Sequence, residues 1–285
     1  IAWAIRLTRM LDQVLDPERF PVDVARLALE YTQSCFADPI TMVKGAKLDG
    51  FEGGLFRNRK AKAAWSIVYN DTLPVRGRVN FVLAHEFGHY LRHRHELDEF
   101  LCSQRDMIEW DREDQARETD ANQFASYLLM PIDDFRRQLA GQNITIDILG
   151  HCANRYGVSL TAAILKWLEI TEERAVLVIA RDGFILWSRS SEPALRSGAY
   201  FRTRNATCPV PEMSVASGRY GETRKREAVA IPPGIWFPRE AVAESTIFSD
   251  RFDMTISLLQ LEQSSRADDI DVEPEEDLVD RIGRT

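Results

Sequence analysis

Leu83-Ala84-His85-Glu86-Phe87-Gly88-His89 is the stretch from which the rest of the chain can be read. Histidines four apart stand one above the other on a helix face, so two imidazoles can grip one metal ion. The glutamate after the first histidine is then placed to activate water at that metal. Phe81, Val82, Leu83, Ala84 and Phe87 make the segment mostly apolar. It is therefore expected as a core helix, not a solvated one that happens to carry two histidines. Gly88 costs such a helix about 1 kcal/mol. A close neighbour or a bound metal would account for a glycine there.

Outward from this helix, expected over Arg76–Arg94, the pattern changes several times. Residues 1–35 carry helical apolar stripes at Ile5, Leu7, Met10, Leu11 and Val14, then at Val24, Ala25, Leu27, Ala28 and Tyr31. Residues 46–70 read as strands, with Trp65-Ser66-Ile67-Val68-Tyr69-Asn70 alternating like a half-buried one. A polar loop is expected around 96–112, then a second helix over Asp114–Met130 that stops at Pro131. Residues 146–170 suggest a short helix pair, with Gly157 at a left-handed helix end. Beyond 174 the chain is strand-rich, with a hairpin signal at Arg181-Asp182-Gly183. Eight carboxylates crowd residues 268–280 and suggest a disordered acidic tail.

The chain has 285 residues, of which 45% are hydrophobic and 28% charged, enough for about two domains with real cores. A net charge of −8 lacks the basic balance expected of a nucleic-acid binder. Cys35, Cys102, Cys152 and Cys208 are scattered, with no CxxC pair, as free thiols of a cytoplasmic protein would be. No apolar run approaches the ~20 residues a membrane span needs.

A catalytic zinc site usually takes three protein ligands and keeps one position open. His95 lies ten residues after His85, but Arg92 stands where that arrangement needs a glycine to turn the chain back. The alternatives are carboxylates on the next helix, where Ala121, Phe124, Ala125, Leu128 and Leu129 form the core stripe. At about 100° per residue, Glu118 falls about 60° from the centre of that stripe and Asp120 about 100°. Glu118 thus faces the core edge, where an unpaired carboxylate is costly and a metal removes the cost. An arginine partner would also satisfy it, and the angle alone does not choose. Asn122, one turn on, is placed to hydrogen-bond a ligand from behind.

Two stretches together carry a resemblance. His85-Glu86-Phe87-Gly88-His89, followed by Glu118-x-x-Ala121-Asn122-x-Phe124-Ala125-x-x-Leu128-Leu129-Met130-Pro131, resembles the ImmA/IrrE metallopeptidase family, over about residues 20–170. The resemblance implies metal ligands His85, His89 and Glu118, with Glu86 as general base and Zn2+ or another divalent ion as cofactor. It implies a zinc-dependent intracellular endopeptidase of narrow specificity, whose protein substrate is a helix-turn-helix repressor of stress-response or mobile-element genes. The expected fold class is α+β. A zincin-like peptidase domain of helices with a small mixed sheet takes residues 1–140, and a helix-turn-helix-like segment takes 141–173. A strand-rich α/β C-terminal domain, sensory or regulatory in role, takes 174–267, and the acidic tail takes 268–285.

Trp65, Ser66, Ile67, Val68 and Tyr69 are expected to bind extended substrate as an edge strand, with an ordinary core strand as the alternative. Tyr69, His93, Tyr127 and His151 are candidates to hold the oxyanion. Two other function classes remain: a DNA-binding regulator using residues 146–170, and a zinc-bound sensory regulator without turnover. Direct DNA binding is disfavoured, because Lys166 is the one cation of the would-be recognition helix and Glu169, Glu172 and Glu173 follow it. No membrane partner is expected.

Overall fold

Two amphipathic helices open the chain. α1 (Ala2–Leu15) buries Ala4, Leu7 and Leu11, and α2 (Val24–Cys35) buries Val24, Leu27, Ala28 and Tyr31. Asp23 starts α2 by accepting the Arg26 N–H on its carboxylate at 3.0 Å. The computed structural model describes residues 1–15, 18–58, 64–102, 112–203, 207–218, 227–249 and 253–263. The acidic stretch 268–285 lies outside the described residues. Eight α-helices and two sheets occur among the described residues, so the architecture is α+β. No described helix is long and apolar enough to cross a membrane. Contacts divide the chain into two units: the described parts of Ile1–Ala140 with Cys152–Ser159, and of Gly141–His151 with Leu160–Arg281.

In the first unit, β1 (Ile40–Ala46), β2 (Gly53–Asn58), β3 (Ala64–Asn70) and β4 (Glu99–Cys102) form a mixed sheet in the order β1-β3-β2-β4. β3 pairs parallel with β1 and antiparallel with β2, and β2 pairs antiparallel with β4. This corrects the expected substrate strand. Strand addition needs a free row of backbone N–H and C=O groups, and both rows of β3 are already paired. Trp65, Ser66 and Ile67 are buried, Val68 and Tyr69 half-buried, and the Trp65 indole N–H donates to Asp38 at 3.3 Å. These five residues form an interior strand, and the sheet edges are β1 and β4. Neither edge stands out in the sequence. β1 mixes polar and apolar residues on half-exposed faces, and β4 is four residues long inside the expected loop.

α3 (Arg76–His93) packs on this sheet, and α4 (Arg112–Leu129) packs on α3. The α4 stripe expected from the sequence is buried throughout, with Ala121, Phe124, Ala125, Leu128 and Leu129 at no more than 1% exposure. Gly88 has its explanation in that crossing. A Cβ there would lie 2.9 Å from Phe124 Cδ1 and 3.3 Å from the Ala121 Cα. The glycine lets the two helices approach closely, which brings their polar edges together as well. At the far end of α3, Arg94 pairs with Asp38 at 3.3 Å and lies over the Phe36 and Tyr90 rings. That knot ties the helix end to the segment between α2 and β1.

α5 (Ile132–Leu139) follows Pro131 directly and had no separate signal in the sequence. α6 (Ile146–Tyr156) ends as expected, with Gly157 at φ +62°. The Val158 N–H bonds back to the Ala153 carbonyl at 3.0 Å, closing the end in the Schellman pattern. Asp134 on α5 is 4% exposed and accepts from Arg155 (3.0 and 3.2 Å), Tyr156 (2.8 Å) and Arg137 (3.3 Å), with Arg19 at 3.7 Å. Burial pushes its carboxyl up, but the Arg155 and Tyr156 hydrogen bonds outweigh that and hold it below the usual range.

Asp134→Ala removes the acceptor shared by Arg155, Tyr156 and Arg137, while Arg19 keeps Asp12 at 3.2 Å. It is expected to cost about 1–3 kcal/mol in urea unfolding at pH 7. Because the folded pKa is depressed, this contribution is present above the unfolded value near 4. It is lost as pH falls through the folded pKa, so the difference between wild type and Asp134→Asn should narrow in acid. A constant difference across that window would contradict it.

α7 (Leu160–Ile170) belongs to the second unit, where Ala163, Ile164, Trp167 and Lys166 are buried. Six antiparallel strands follow: β5 (Ala175–Arg181), β6 (Phe184–Ser190), β7 (Cys208–Pro209), β8 (Val229–Ile231), β9 (Val242–Ser249) and β10 (Met254–Leu261). Their order is β7-β6-β5-β10-β9-β8, with the short helix α8 (Glu192–Arg196) after β6. The β5–β6 hairpin turns on Asp182 and Gly183, both at positive φ (51° and 77°), as a two-residue type I′ turn requires. One face buries Val176, Val178, Leu259, Trp236 and Phe237. Glu244 is fully buried there and accepts from the backbone N–H groups of Val215 (3.0 Å) and Ala216 (2.8 Å), from Trp236 Nε1 (2.7 Å) and from Thr246 (2.9 Å). Four donors on one carboxylate pin two long connections to the sheet.

Candidate metal centre

Three side chains from α3 and α4 converge. His85 Nε2 and His89 Nε2 are 3.0 Å apart, and the Glu118 carboxylate oxygens lie 3.0 Å from the first and 3.1 Å from the second. Both imidazoles are 1% exposed. This is the one grouping among the described residues whose His, Cys, Asp or Glu ligand atoms all fall within 4.8 Å of one another. The α3–α4 approach at Gly88 makes it, because the helix edge carrying Glu118 is drawn against the face carrying the two histidines.

The other ring nitrogens are engaged. His85 Nδ1 donates to Asn122 Oδ1 at 2.9 Å, so its proton sits on Nδ1 and the Nε2 lone pair faces Glu118. His89 Nδ1 lies 3.1 Å from His93 Nδ1, and Phe100 of β4 stacks on the His89 ring with centroids 4.7 Å apart. Burial pushes the His89 imidazole down to about 4, against the pull of the Glu118 carboxylate, so it is neutral and has a lone pair at neutral pH. The Glu118 carboxylate faces both imidazoles and is ionised at neutral pH, as even an unshifted carboxyl is.

Glu86 is fully buried, and neither carboxylate oxygen has a hydrogen-bond partner among the described residues. Burial pushes it up to about 8, the nearby Glu118 adding to the rise and His85 opposing it. An orphaned buried carboxylate is costly. A cation beside it, with water between, removes the cost. The backbone leaves room for this. A Cβ on Gly53 of β2 would overlap Val82 Cγ1 at 2.3 Å and stand 3.4 Å from Glu86 Oε1, so the space beside the carboxylate exists because residue 53 has no side chain. Two neutral imidazole nitrogens, one ionised carboxylate and an unsatisfied base next to them fit a divalent cation.

Of the other sequence candidates, Asp120 points elsewhere: it pairs with Arg92 at 2.5 Å and lies 3.9 Å from His93 Nε2. His95 follows the end of α3 and is exposed. His93 sits behind His89, on the Nδ1 side of the ring, and so is not placed to hold an oxyanion on the Nε2 side. The i, i+4 spacing of His89 and His93 on the same helix is the one sign of this contact in the sequence.

Comparison with known proteins agrees with this geometry. Residues 40–168 match the peptidase family described as the IrrE N-terminal-like domain. A solved structure described as a Mycobacterium tuberculosis transcriptional regulator shares the fold at a TM-score of 0.56 and 14% identity, covering 90% of this chain and 76% of that one. No curated protein matches the chain. The segment similar to the IrrE N-terminal-like domain begins at β1 and runs through α3 and α4, which carry His85, His89 and Glu118, to α7.

Proposed function

We propose that the protein is a metal-dependent endopeptidase using zinc at His85, His89 and Glu118. The observation that carries this reading is the convergence of those three ligand atoms beside an orphaned, fully buried Glu86. A zinc ion held there supplies Lewis acidity, acidifying water and offsetting the charge that develops on the attacked carbonyl oxygen. Glu86 takes the proton from the attacking water and passes it to the leaving amine. Asn122 keeps the His85 lone pair aimed at the site. The free thiols at Cys35, Cys152 and Cys208 suit action inside the cell.

For substrate, the edge strand β4 replaces the interior β3. β4 pairs only with β2 among the described residues, and its Phe100 packs on His89. An extended peptide added to its free edge would run beside the metal ligands. The resemblance read from the two motifs points to a helix-turn-helix repressor as that peptide's source. Co-expression with a candidate repressor tests this. The repressor should be cleaved beside wild type and intact beside Glu86→Gln, and an intact repressor beside metal-loaded wild type would count against it.

A second reading is a metal-bearing regulator without turnover, supported by the fold shared with a protein named a transcriptional regulator. Under that reading, Glu86→Gln would still relieve repression. Direct DNA binding through α7 is not supported, because Lys166, its single cation, is 2% exposed and pairs with Glu169 at 3.0 Å.

A further inference from the structure

His85 and His89 present the same Nε2 face to the site but are held from behind by different groups. Behind His85 is an amide, whose oxygen can only accept. Behind His89 is a second imidazole, His93, at 3.1 Å between Nδ1 atoms. A neutral imidazole can accept at Nδ1 only if its proton sits on Nε2. On that Nε2 side, at 3.9 Å, lies the Asp120 carboxylate, itself anchored by Arg92. A negative charge there favours the tautomer with its proton on Nε2. His93 is 4% exposed, so water does not compete freely for its ring. Phe100 stacks on His89 and lies 6.2 Å from the His93 ring, which limits tilting of both.

We propose that His93, biased by Asp120, is the positioning residue for His89. It accepts the His89 Nδ1–H and thereby keeps the Nε2 lone pair directed at the metal. The fixed order of protons runs from Asp120 through His93 to His89. The inference rests on the metal-site reading above and concerns metal affinity, not turnover.

The experiment is a zinc titration of the full chain against a chromophoric chelator, with cobalt absorption spectra as a second readout and thermal unfolding of the metal-free variants as a folding check. His93→Phe keeps the bulk but removes the acceptor, and should weaken zinc binding about 10–100-fold and alter the cobalt spectrum. His93→Asn offers an oxygen acceptor near the Nδ1 position and should recover most of that affinity. Asp120→Ala should fall between wild type and His93→Phe. If wild type binds zinc and a folded His93→Phe binds it equally well, or if His93→Asn is no better than His93→Phe, the positioning role is overturned. Unchanged affinity in Asp120→Ala removes Asp120 from the relay. Failure of wild type to bind zinc at all would instead overturn the metal site itself.

Discussion

Glu86→Gln should lower turnover about 10²–10⁴-fold while leaving the metal content unchanged. The substitution nearly preserves shape, which matters because Glu86 is fully buried beside Gly53 of β2. Glutamine cannot take a proton from water, so the loss should fall on kcat and leave KM nearly unchanged. Glu86 is not among the three converging ligand atoms, and its removal should not release the cation. Measuring kcat, KM and metal content on the same preparation checks all three statements. A variant that cleaves at the wild-type rate would remove Glu86 from the chemistry. A variant that loses its metal would make Glu86 a ligand or a support for one.

Glu118→Ala should lose both the metal and the activity while keeping the fold. The core stripe of α4 runs through Ala121, Phe124, Ala125, Leu128 and Leu129 and does not include residue 118, whose side chain is 15% exposed. The fold therefore does not depend on it. Metal bound only by the folded chain stabilises it by RT ln(1 + [L]/Kd), about 2.7 kcal/mol at a hundredfold excess over Kd. Wild type should accordingly show a melting temperature that rises with added zinc, and Glu118→Ala should show a flat one. His95→Ala, at the exposed histidine beyond α3, should match wild type in both respects.

The convergence of His85, His89 and Glu118 was legible in the sequence because helices translate spacing into direction. The four-residue step from His85 to His89 and the stripe that put Glu118 at its edge both survive into the fold. Gly88 was visible as a cost, and the helix it admits became visible only in three dimensions, because Ala121 and Phe124 lie more than thirty residues away. Sheet position was not legible in the same way. Trp65–Tyr69 alternates like a half-buried strand, but whether a strand is an edge depends on its neighbours. Here those are β1 and β2, and the edges fall to β1 and β4, whose own patterns are mixed or short. Buried polar hubs escaped for a related reason. Asp134 and Glu244 look like ordinary charged residues until Arg155 and Tyr156, or Val215 and Trp236, fold onto them.

Elemental analysis of the purified chain, reconstituted with zinc and freed of excess, tests the centre most directly when run beside Glu118→Ala. The expected result is about one zinc per wild-type chain and almost none in the folded variant. No zinc in wild type, or a full equivalent retained by the folded Glu118→Ala, would contradict a cation held by His85, His89 and Glu118.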